Sequence, residues 1–168
     1  LQANHSVFHR EQADYWQTQI SAVTIPLPFD YQVSKPCLRS ESNAVYLTLD
    51  EATTEKLLGI ANKAYNTRVD DLSLSSLYQA LHNTFQLTAF VVALESHGRE
   101  PLFATLDLSG TVGWFTSLYP LTLSAGQSGM KDIIITIKEH RREIKDNGVG
   151  YGILSQLHDN SGCKSNGG

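Results

Sequence analysis

Glu95 is the residue whose type and position most suggest acid–base chemistry. Its carboxylate follows the apolar run 90–94 and precedes a polar turn that contains His97, Gly98 and Arg99. A carboxylate held at the end of a strand among apolar neighbours has a raised pKa, so it can exchange protons near neutral pH. The alternative is a Glu that marks the end of the strand and reaches solvent or pairs with Arg99. The residues alone do not separate the two interpretations.

His97 and Arg99 suggest an acid–base or anion site beside that carboxylate. One histidine next to one arginine more often satisfies backbone groups in a turn, and we favour that interpretation. The other histidines lack the spacing of a metal site, so we expect no metal. The stretch 147–152, NGVGYG, is not preceded by the strand that a dinucleotide site needs, and we predict a turn there.

Two adjacent aromatic residues form a second conspicuous feature. In the stretch VGWFTS, Trp114 and Phe115 are predicted to point to opposite faces of a strand, both as core residues. Gly113 precedes them and suggests that another backbone or a ligand approaches closely at this point.

Apolar spacing predicts the elements that position these residues. Helical periods predict helices over 9–20, 50–65, 70–85 and 128–146, and a short helix is expected after the turn at 147–152, up to His158. Asp50 has the character of an N-cap. Alternating or continuous apolar runs predict strands over 44–49, 87–95 and 111–123, the last of them broken near Pro120. The strand 87–95 is apolar at consecutive positions, so we expect both of its faces to be covered. This order of elements predicts α/β layering, with helices on at least one face of a mixed sheet.

Charge and hydropathy argue against several classes of partner. The formal net charge of −4 argues against nucleic-acid binding, and no apolar run reaches the ~20 residues of a membrane span. No signal peptide is visible at residues 1–10. Cys37 and Cys163 lie far apart, and we interpret both as reduced thiols of a cytoplasmic protein, with a disulfide between them as the alternative.

Three stretches together resemble the epimerization domains of nonribosomal peptide synthetases. They are ALESHGRE, DLSGTVGWFTSLYPLTL and NGVGYGIL, in this order and spacing. Tyr15 with Trp16, and the stretch 64–81, AYNTRVDDLSLSSLYQAL, fit the same family. The resemblance covers nearly the whole chain. Condensation domains share the fold but not the HGRE and TVGWFTS motifs.

The resemblance implies a chloramphenicol-acetyltransferase-like fold, in which two similar α/β subdomains flank a tunnel. Residues 1–43 would then be the end of the N-terminal region and a crossing linker. Residues 44–158 would be the C-terminal subdomain, with a mixed sheet and flanking helices, and residues 159–168 a flexible tail.

The implied activity is inversion, from L to D, of the α-carbon of an aminoacyl or peptidyl thioester. The thioester is carried on the phosphopantetheine of a peptidyl carrier domain, and the epimerization domain itself binds no cofactor. In the family the acid–base groups are a His of a His-His-x-x-x-Asp motif and the Glu of an EGHGRE motif, which corresponds to Glu95. His97, Gly113 and Trp114 are expected at the substrate tunnel.

The sequence also departs from the family pattern. It contains neither His-His-x-x-x-Asp nor the family's FNYLG motif, Ser96 replaces a Gly, and Gly110 replaces an Arg. We therefore expect the chain to need an N-terminal subdomain that carries the His motif, besides a carrier domain and adjacent synthetase domains. The alternatives are a catalytically silent docking module and a condensation-type acyltransferase.

A basic helix face is the expected docking surface for an acidic carrier domain. Lys131, Lys138, Arg142 and Lys145 are spaced to share one side of the helix predicted over 128–146. Lys138 and Arg142 are the residues expected to dock the carrier. The alternative is an ordinary solvated face.

Overall fold

The computed structural model describes residues 2–21, 27–28, 31, 38–100, 107–126 and 129–157. Its elements in chain order are α1 (Gln2–Ser21), a 3₁₀ turn (Arg39–Glu41), α2 (Glu51–Leu58), α3 (Ile60–Tyr65), α4 (Val69–Phe85), β1 (Ala89–Ser96), β2 (Ser117–Ser124), α5 (Met130–Arg142), a second 3₁₀ turn (Lys145–Gly148) and α6 (Val149–Leu157). Part of the predicted linker, both cysteines and the predicted tail lie outside the described residues. In the described part of the chain, no helix is long and apolar enough to cross a membrane.

Among the described residues, the two antiparallel strands β1 and β2 form the sheet. Side chains alternate between the faces of a strand, so one face of the pair is apolar and packed against helices. That face includes Phe90, Leu121 and Leu123, all of them buried. The prediction that β1 is covered on both faces is wrong for the described residues, because Val91 and Ala93 are exposed on the opposite face.

The indole of Trp16 joins α1 to the sheet and to α6. It is fully buried, it lies 6.1 Å from the ring of Tyr119 and 5.3 Å from the ring of Tyr151, and its Nε1 donates to Gln12 Oε1 at 2.9 Å. The hydroxyl of Thr122 on β2 donates to the carbonyl of Gln19 on α1. The helix predicted over 9–20 thus becomes one side of the core.

An ion pair between Asp71 and Arg141 joins α4 to α5. Asp71 is buried and accepts from Arg141 Nε at 2.5 Å and from the backbone N–H of Arg68 at 2.8 Å. Burial acts to lower the pKa of Arg141, but the hydrogen bond and negative charge of Asp71 outweigh it, and the pKa is raised. Ile133 and Ile137 on α5, one helical turn apart, face the same core.

Several predicted elements differ from those observed. The helix predicted over 50–65 is interrupted at Gly59, although its N-cap is confirmed, since Asp50 Oδ1 accepts from the backbone N–H of Thr53 at 2.6 Å. The predicted break at Pro120 is wrong, since β2 runs through it. In the described part of the sheet β2 pairs only with β1, and a proline is tolerated on a strand with a free edge.

The strand predicted over 44–49 is not observed. These residues are outside regular structure, and the side chains of Val45 and Leu47 are 98% and 88% exposed. An extended segment becomes a strand only when a neighbouring backbone accepts and donates its hydrogen bonds, and no described residue lies in that position.

The predicted core position of Trp114 is also wrong. The strand β2 begins three residues later, at Ser117, and the indole of Trp114 is 91% exposed, whereas Phe115 is half-buried. Of the two tryptophans only Trp16 is part of the core.

We expect Trp16→Ala to lower the free energy of unfolding by ~3–5 kcal/mol, because it leaves a large cavity among three elements. Trp114→Ala, the matched control, should change it by less than ~0.5 kcal/mol, since little surface is buried there. Urea denaturation followed by circular dichroism measures both. A large loss with Trp114→Ala would mean that the indole packs against this chain after all.

Candidate functional site

Glu95 lies near the end of β1 on the more exposed face of the sheet, which α1 contacts through Thr122 near the other end of β1. Its Cα pairs with that of Leu118 on β2, and Val91 and Ala93 precede it on the same face. The carboxylate is exposed. The described residues therefore do not form the apolar surroundings that the acid–base interpretation needs, but they do place the carboxylate on a strand.

The turn after Glu95 presses against the backbone of Phe115. Gly98 has a φ of +66°, and a β-carbon on it would lie 1.5 Å from the carbonyl oxygen of Phe115. Any other residue would both strain this conformation and overlap that carbonyl. The sequence showed a glycine in a turn, but not the segment against which it packs.

Arg99 holds the same two segments together through its side chain. The guanidinium lies 4.5 Å from the centre of the Phe115 ring, and Nη1 donates to the carbonyl of Leu108 at 3.0 Å. That carbonyl belongs to a turn in which Asp107 Oδ1 accepts from the N–H of Ser109, which lowers the pKa of Asp107. The proposed pairing of Arg99 with Glu95 is not observed.

His97 satisfies a backbone group in the turn, the interpretation favoured from the sequence. Its Nδ1 accepts from the backbone N–H of Arg99 at 3.0 Å, which leaves the ring proton on Nε2. Nε2 lies 3.3 Å from Oε1 of Glu100, a buried oxygen with no hydrogen-bond partner of good geometry among the described residues. The position of His97 at a tunnel stays a prediction.

The segment 111–116 is irregular and largely exposed. Trp114 projects from it, and a β-carbon on Gly113 would lie 3.0 Å from Cε2 of Phe115. The close approach predicted at Gly113 is thus to a ring of the same segment, not to another backbone. The placement of Gly113 and Trp114 at a tunnel stays a prediction.

The turn 146–148 adjoins the same region, and it was predicted from the stretch NGVGYG. Asp146, Asn147 and Gly148 all have positive φ, and the hydroxyl of Ser117 donates to the carbonyl of Asn147 at 3.2 Å. Gly148 has no room for a side chain, because a β-carbon there would lie 2.1 Å from the ring of Tyr119. Residues 149–152 begin α6 instead of continuing the turn.

Three stretches that are far apart in the sequence therefore meet at the start of β2. Gly98 contacts Phe115, Ser117 contacts the turn at Asn147, and Ser117 is paired with Ser96, the residue after Glu95. Ser117 is buried and links all three, a role that no sequence motif indicated. Among the described residues, no group of three His, Cys, Asp or Glu side chains could hold a metal ion.

The basic face predicted for the helix over 128–146 differs from the structure, because the helix is shorter and two of its basic side chains contact α3. The helix α5 ends at Arg142, Lys138 Nζ donates to the carbonyl of Tyr65 at 3.2 Å, and Arg142 Nη2 donates to that of Asn66 at 2.8 Å. Both cations satisfy carbonyls at the C-terminal end of α3, and the Lys138 side chain is only 12% exposed. Lys145 lies beyond the helix, 5.5 Å above the Tyr15 ring. Carrier docking by Lys138 and Arg142 stays a prediction, but their charges already stabilise α3.

The three motif stretches lie on a sheet with one apolar face packed against helices, and comparison with known proteins identifies the family. The sequence model described as Condensation domain matches residues 2–166. The chain therefore belongs to the condensation-domain family.

Its relatives are very large synthetases. Tyrocidine synthase 1 of Brevibacillus parabrevis is 37% identical over 155 residues, which are 90% of this chain and 14% of that protein. Bacitracin synthase 2 of Bacillus licheniformis is 34% identical over 161 residues, 95% of this chain and 6% of that protein. The chain thus spans a small part of the curated relatives it matches.

Two solved structures have the same fold. The epimerization domain from the third module of tyrocidine synthetase B matches with a TM-score of 0.78 and 31% identity, over 89% of this chain and 33% of that chain. The first condensation domain of the CDA synthetase matches with a TM-score of 0.64 and 20% identity, over 83% and 30%. The chloramphenicol-acetyltransferase-like fold class and the resemblance to epimerization domains of nonribosomal peptide synthetases are confirmed.

We expect Gly98→Ala to lower the free energy of unfolding by roughly 1–3 kcal/mol, because it combines a strained positive φ with a clash against Phe115. The matched control is Gly110→Ala, where a β-carbon meets nothing within 4 Å and the change should be under ~1 kcal/mol in either direction. Thermal and urea unfolding of both variants test this. Equal stabilities would contradict the close packing of the turn.

Proposed function

We propose that this chain supplies the carboxylate of Glu95 as one of two acid–base groups that epimerize an aminoacyl or peptidyl thioester from L to D. The observation that carries the proposal is the position of Glu95, on a rigid strand at the junction of the three epimerization-type motifs. The likeness to a solved epimerization domain supports it.

The proposed reaction needs only proton transfer. A base removes the α-proton, and the electron pair of the Cα–H bond moves into the bond between Cα and the thioester carbon, whose oxygen becomes an enolate oxygen. An acid then returns a proton to Cα from the opposite face. Glu95 serves as the base in one direction and, once protonated, as the acid in the other, by microscopic reversibility. No cofactor of the domain takes part, and the substrate remains on the phosphopantetheine of a carrier domain.

Because Glu95 is exposed in the described residues, the proposed reaction needs another part of the protein to enclose this carboxylate. A carboxylate in water is a weak base, and apolar surroundings raise its pKa toward the range useful for proton exchange. The uncovered face beside it presents Val91, Ala93 and Leu118, which are apolar but open. We propose that an N-terminal subdomain with the His-His-x-x-x-Asp motif closes this face, places the second acid–base group opposite Glu95, and acts with a carrier domain and neighbouring synthetase domains.

We expect Glu95→Gln to abolish α-proton exchange when the rest of the domain is supplied. The experiment replaces the matched third of the tyrocidine synthetase B epimerization domain with this chain. Deuterium uptake from heavy water at Cα of a carrier-bound aminoacyl thioester is then measured. Loss of an acid–base group should slow uptake by roughly 10²–10⁴-fold. Glu143→Gln, which changes an exposed carboxylate at the end of α5, is the control and should leave the rate unchanged. If the Glu95→Gln variant took up deuterium at the rate of the unsubstituted protein, Glu95 would not be one of the acid–base groups.

We expect the chain alone to show no epimerization above background, since inversion needs groups on both faces of Cα and only one candidate is present. Chiral analysis of the product released from the carrier measures it. D-product from the purified chain would show that the second group lies within these 168 residues, and His97→Ala would be the first variant to examine.

A condensation-type acyltransferase is the second candidate, because the matching family model is that of condensation domains and the CDA synthetase domain shares the fold. The two activities differ in what they require. Epimerization exchanges the α-proton of a single carrier-bound thioester, whereas condensation needs a second, acceptor aminoacyl thioester and forms a peptide bond. Peptide formation by the chimera without α-proton exchange would favour condensation, and neither activity would favour a silent docking module.

A further inference from the structure

We propose that Leu118 contacts the side chain of the residue that is inverted beside Glu95, and that this residue has an apolar side chain, aliphatic or aromatic. The inference rests on the proposed function, because it takes Glu95 as the group that reaches the α-carbon. It goes further, since it assigns a contact to Leu118 and a chemical class to the substrate.

Leu118 lies directly opposite Glu95 in the sheet. The Cα atoms of the two residues pair in the antiparallel register of β1 and β2. Their side chains therefore leave the sheet on the same face, with β-carbons ~5 Å apart. Leu118 is 53% exposed. A large part of a leucine side chain is thus open next to the carboxylate that the proposed reaction uses.

The other neighbours of Glu95 on this face are apolar as well. Ala93 lies two positions before it on β1 and is exposed, and Pro120, which pairs with Ala93, is half-buried. We call Ala93, Leu118 and Pro120 the apolar floor. At the far end of the same face the hydroxyl of Thr122 donates to α1, so the apolar floor is the part of this face that adjoins the carboxylate.

The geometry of proton transfer brings the substrate over the apolar floor. Loss of the α-proton leaves a planar α-carbon that bears the nitrogen, the side chain and the thioester carbon, and a base approaches such a carbon perpendicular to its plane. Side chains of a strand stand roughly perpendicular to the sheet, so the three groups spread sideways over the residues around Glu95. With the α-carbon about 3–3.5 Å from the carboxylate, one of these groups contacts Leu118.

The chemistry of the three groups decides which one lies there. The nitrogen and the thioester oxygen need hydrogen bonds, and both would lose water without a new partner over the apolar floor. An apolar side chain gains free energy when it replaces water at this surface. An acidic side chain would lie beside the like charge of Glu95, and a basic one would pair with the carboxylate that has to accept the proton.

The test uses the chimera in which this chain replaces the matched third of the tyrocidine synthetase B epimerization domain. Deuterium uptake gives kcat/KM for leucyl, alanyl, aspartyl and lysyl thioesters on the carrier. Because the same Glu95 acts on each substrate, the ratio between two substrates measures contacts of the side chain and not the strength of the base. The leucyl thioester should exceed the aspartyl and lysyl thioesters by about tenfold or more.

Leu118→Ala should lower the ratio of leucyl to alanyl kcat/KM by about tenfold, the lower end of the range for a lost apolar contact. Leu118→Met keeps the apolar surface and should preserve the ratio. Val91→Ala is the matched control, because Val91 is an exposed aliphatic residue of the same face ~13 Å from Glu95 along β1. It should change the ratio less than about twofold. An unchanged ratio in Leu118→Ala, an equal loss in Val91→Ala, or uptake from aspartyl or lysyl thioesters at the leucyl rate would each overturn the proposal.

Binding of aminoacyl pantetheine amides, which lack the reactive thioester, separates this proposal from the proposed function. Isothermal titration calorimetry should show tighter binding of the leucyl amide than of the aspartyl amide, and Leu118→Ala should remove the difference. That binding pattern without deuterium uptake from any thioester would support the Leu118 contact and contradict the proposed function. Uptake without a preference among side chains would overturn the Leu118 contact and leave the proposed function intact. Absence of both binding and uptake would overturn both.

Discussion

The carbonyl of Phe115 lies so close to Gly98 that no β-carbon fits between them, and the arrangement of the site depends on this contact. It fixes the turn after Glu95 against the segment before β2, and the Arg99 guanidinium holds the same pair through the ring of Phe115 and the carbonyl of Leu108. Ser117 lies two residues after Phe115 and binds the turn at Asn147, so this close approach brings three loops together. A rigid position for the carboxylate follows from packing, not from any bond to the carboxylate itself.

The two faces of the sheet differ in how much of their surface is buried. Helices α1, α5 and α6 cover one face around Trp16, Leu121, Leu123 and Ile137, where apolar burial stabilises the fold. The other face, which carries Glu95, is more exposed in the described residues, and α1 contacts it through Thr122. A group that must exchange protons with a substrate needs access, and it also needs apolar surroundings when the substrate is bound. Both conditions are met if the cover of this face belongs to a separate body.

Local patterns predicted a large part of this fold. The spacing of apolar residues predicted α4 and β1 to within two residues, whereas α5 ends four residues before its predicted end and β2 begins six residues after its predicted start. The Asp50 cap follows from a short carboxylate at the start of a helix. The wrong predictions share a cause. Trp114 and the segment 44–49 are apolar, and apolar residues were expected to be buried, but burial depends on what lies opposite. Lys138 and Arg142 were expected on one exposed helix face. Both contact carbonyls at the end of α3, and Arg142 is exposed whereas the Lys138 side chain is only 12% exposed.

The sequence by itself determined α1, α4, α5 and β1, and it singled out Glu95 as a residue that could do acid–base chemistry at the end of a strand. These are properties of periodicity and residue type, which act over a few positions along the chain. Only the tertiary structure decided that Glu95 lies on the open face, that Gly98 contacts Phe115, and that Ser117 joins the turn at Asn147. Those contacts connect residues between 17 and 30 positions apart, and no local pattern encodes which distant backbone will occupy the space beside a glycine or a strand.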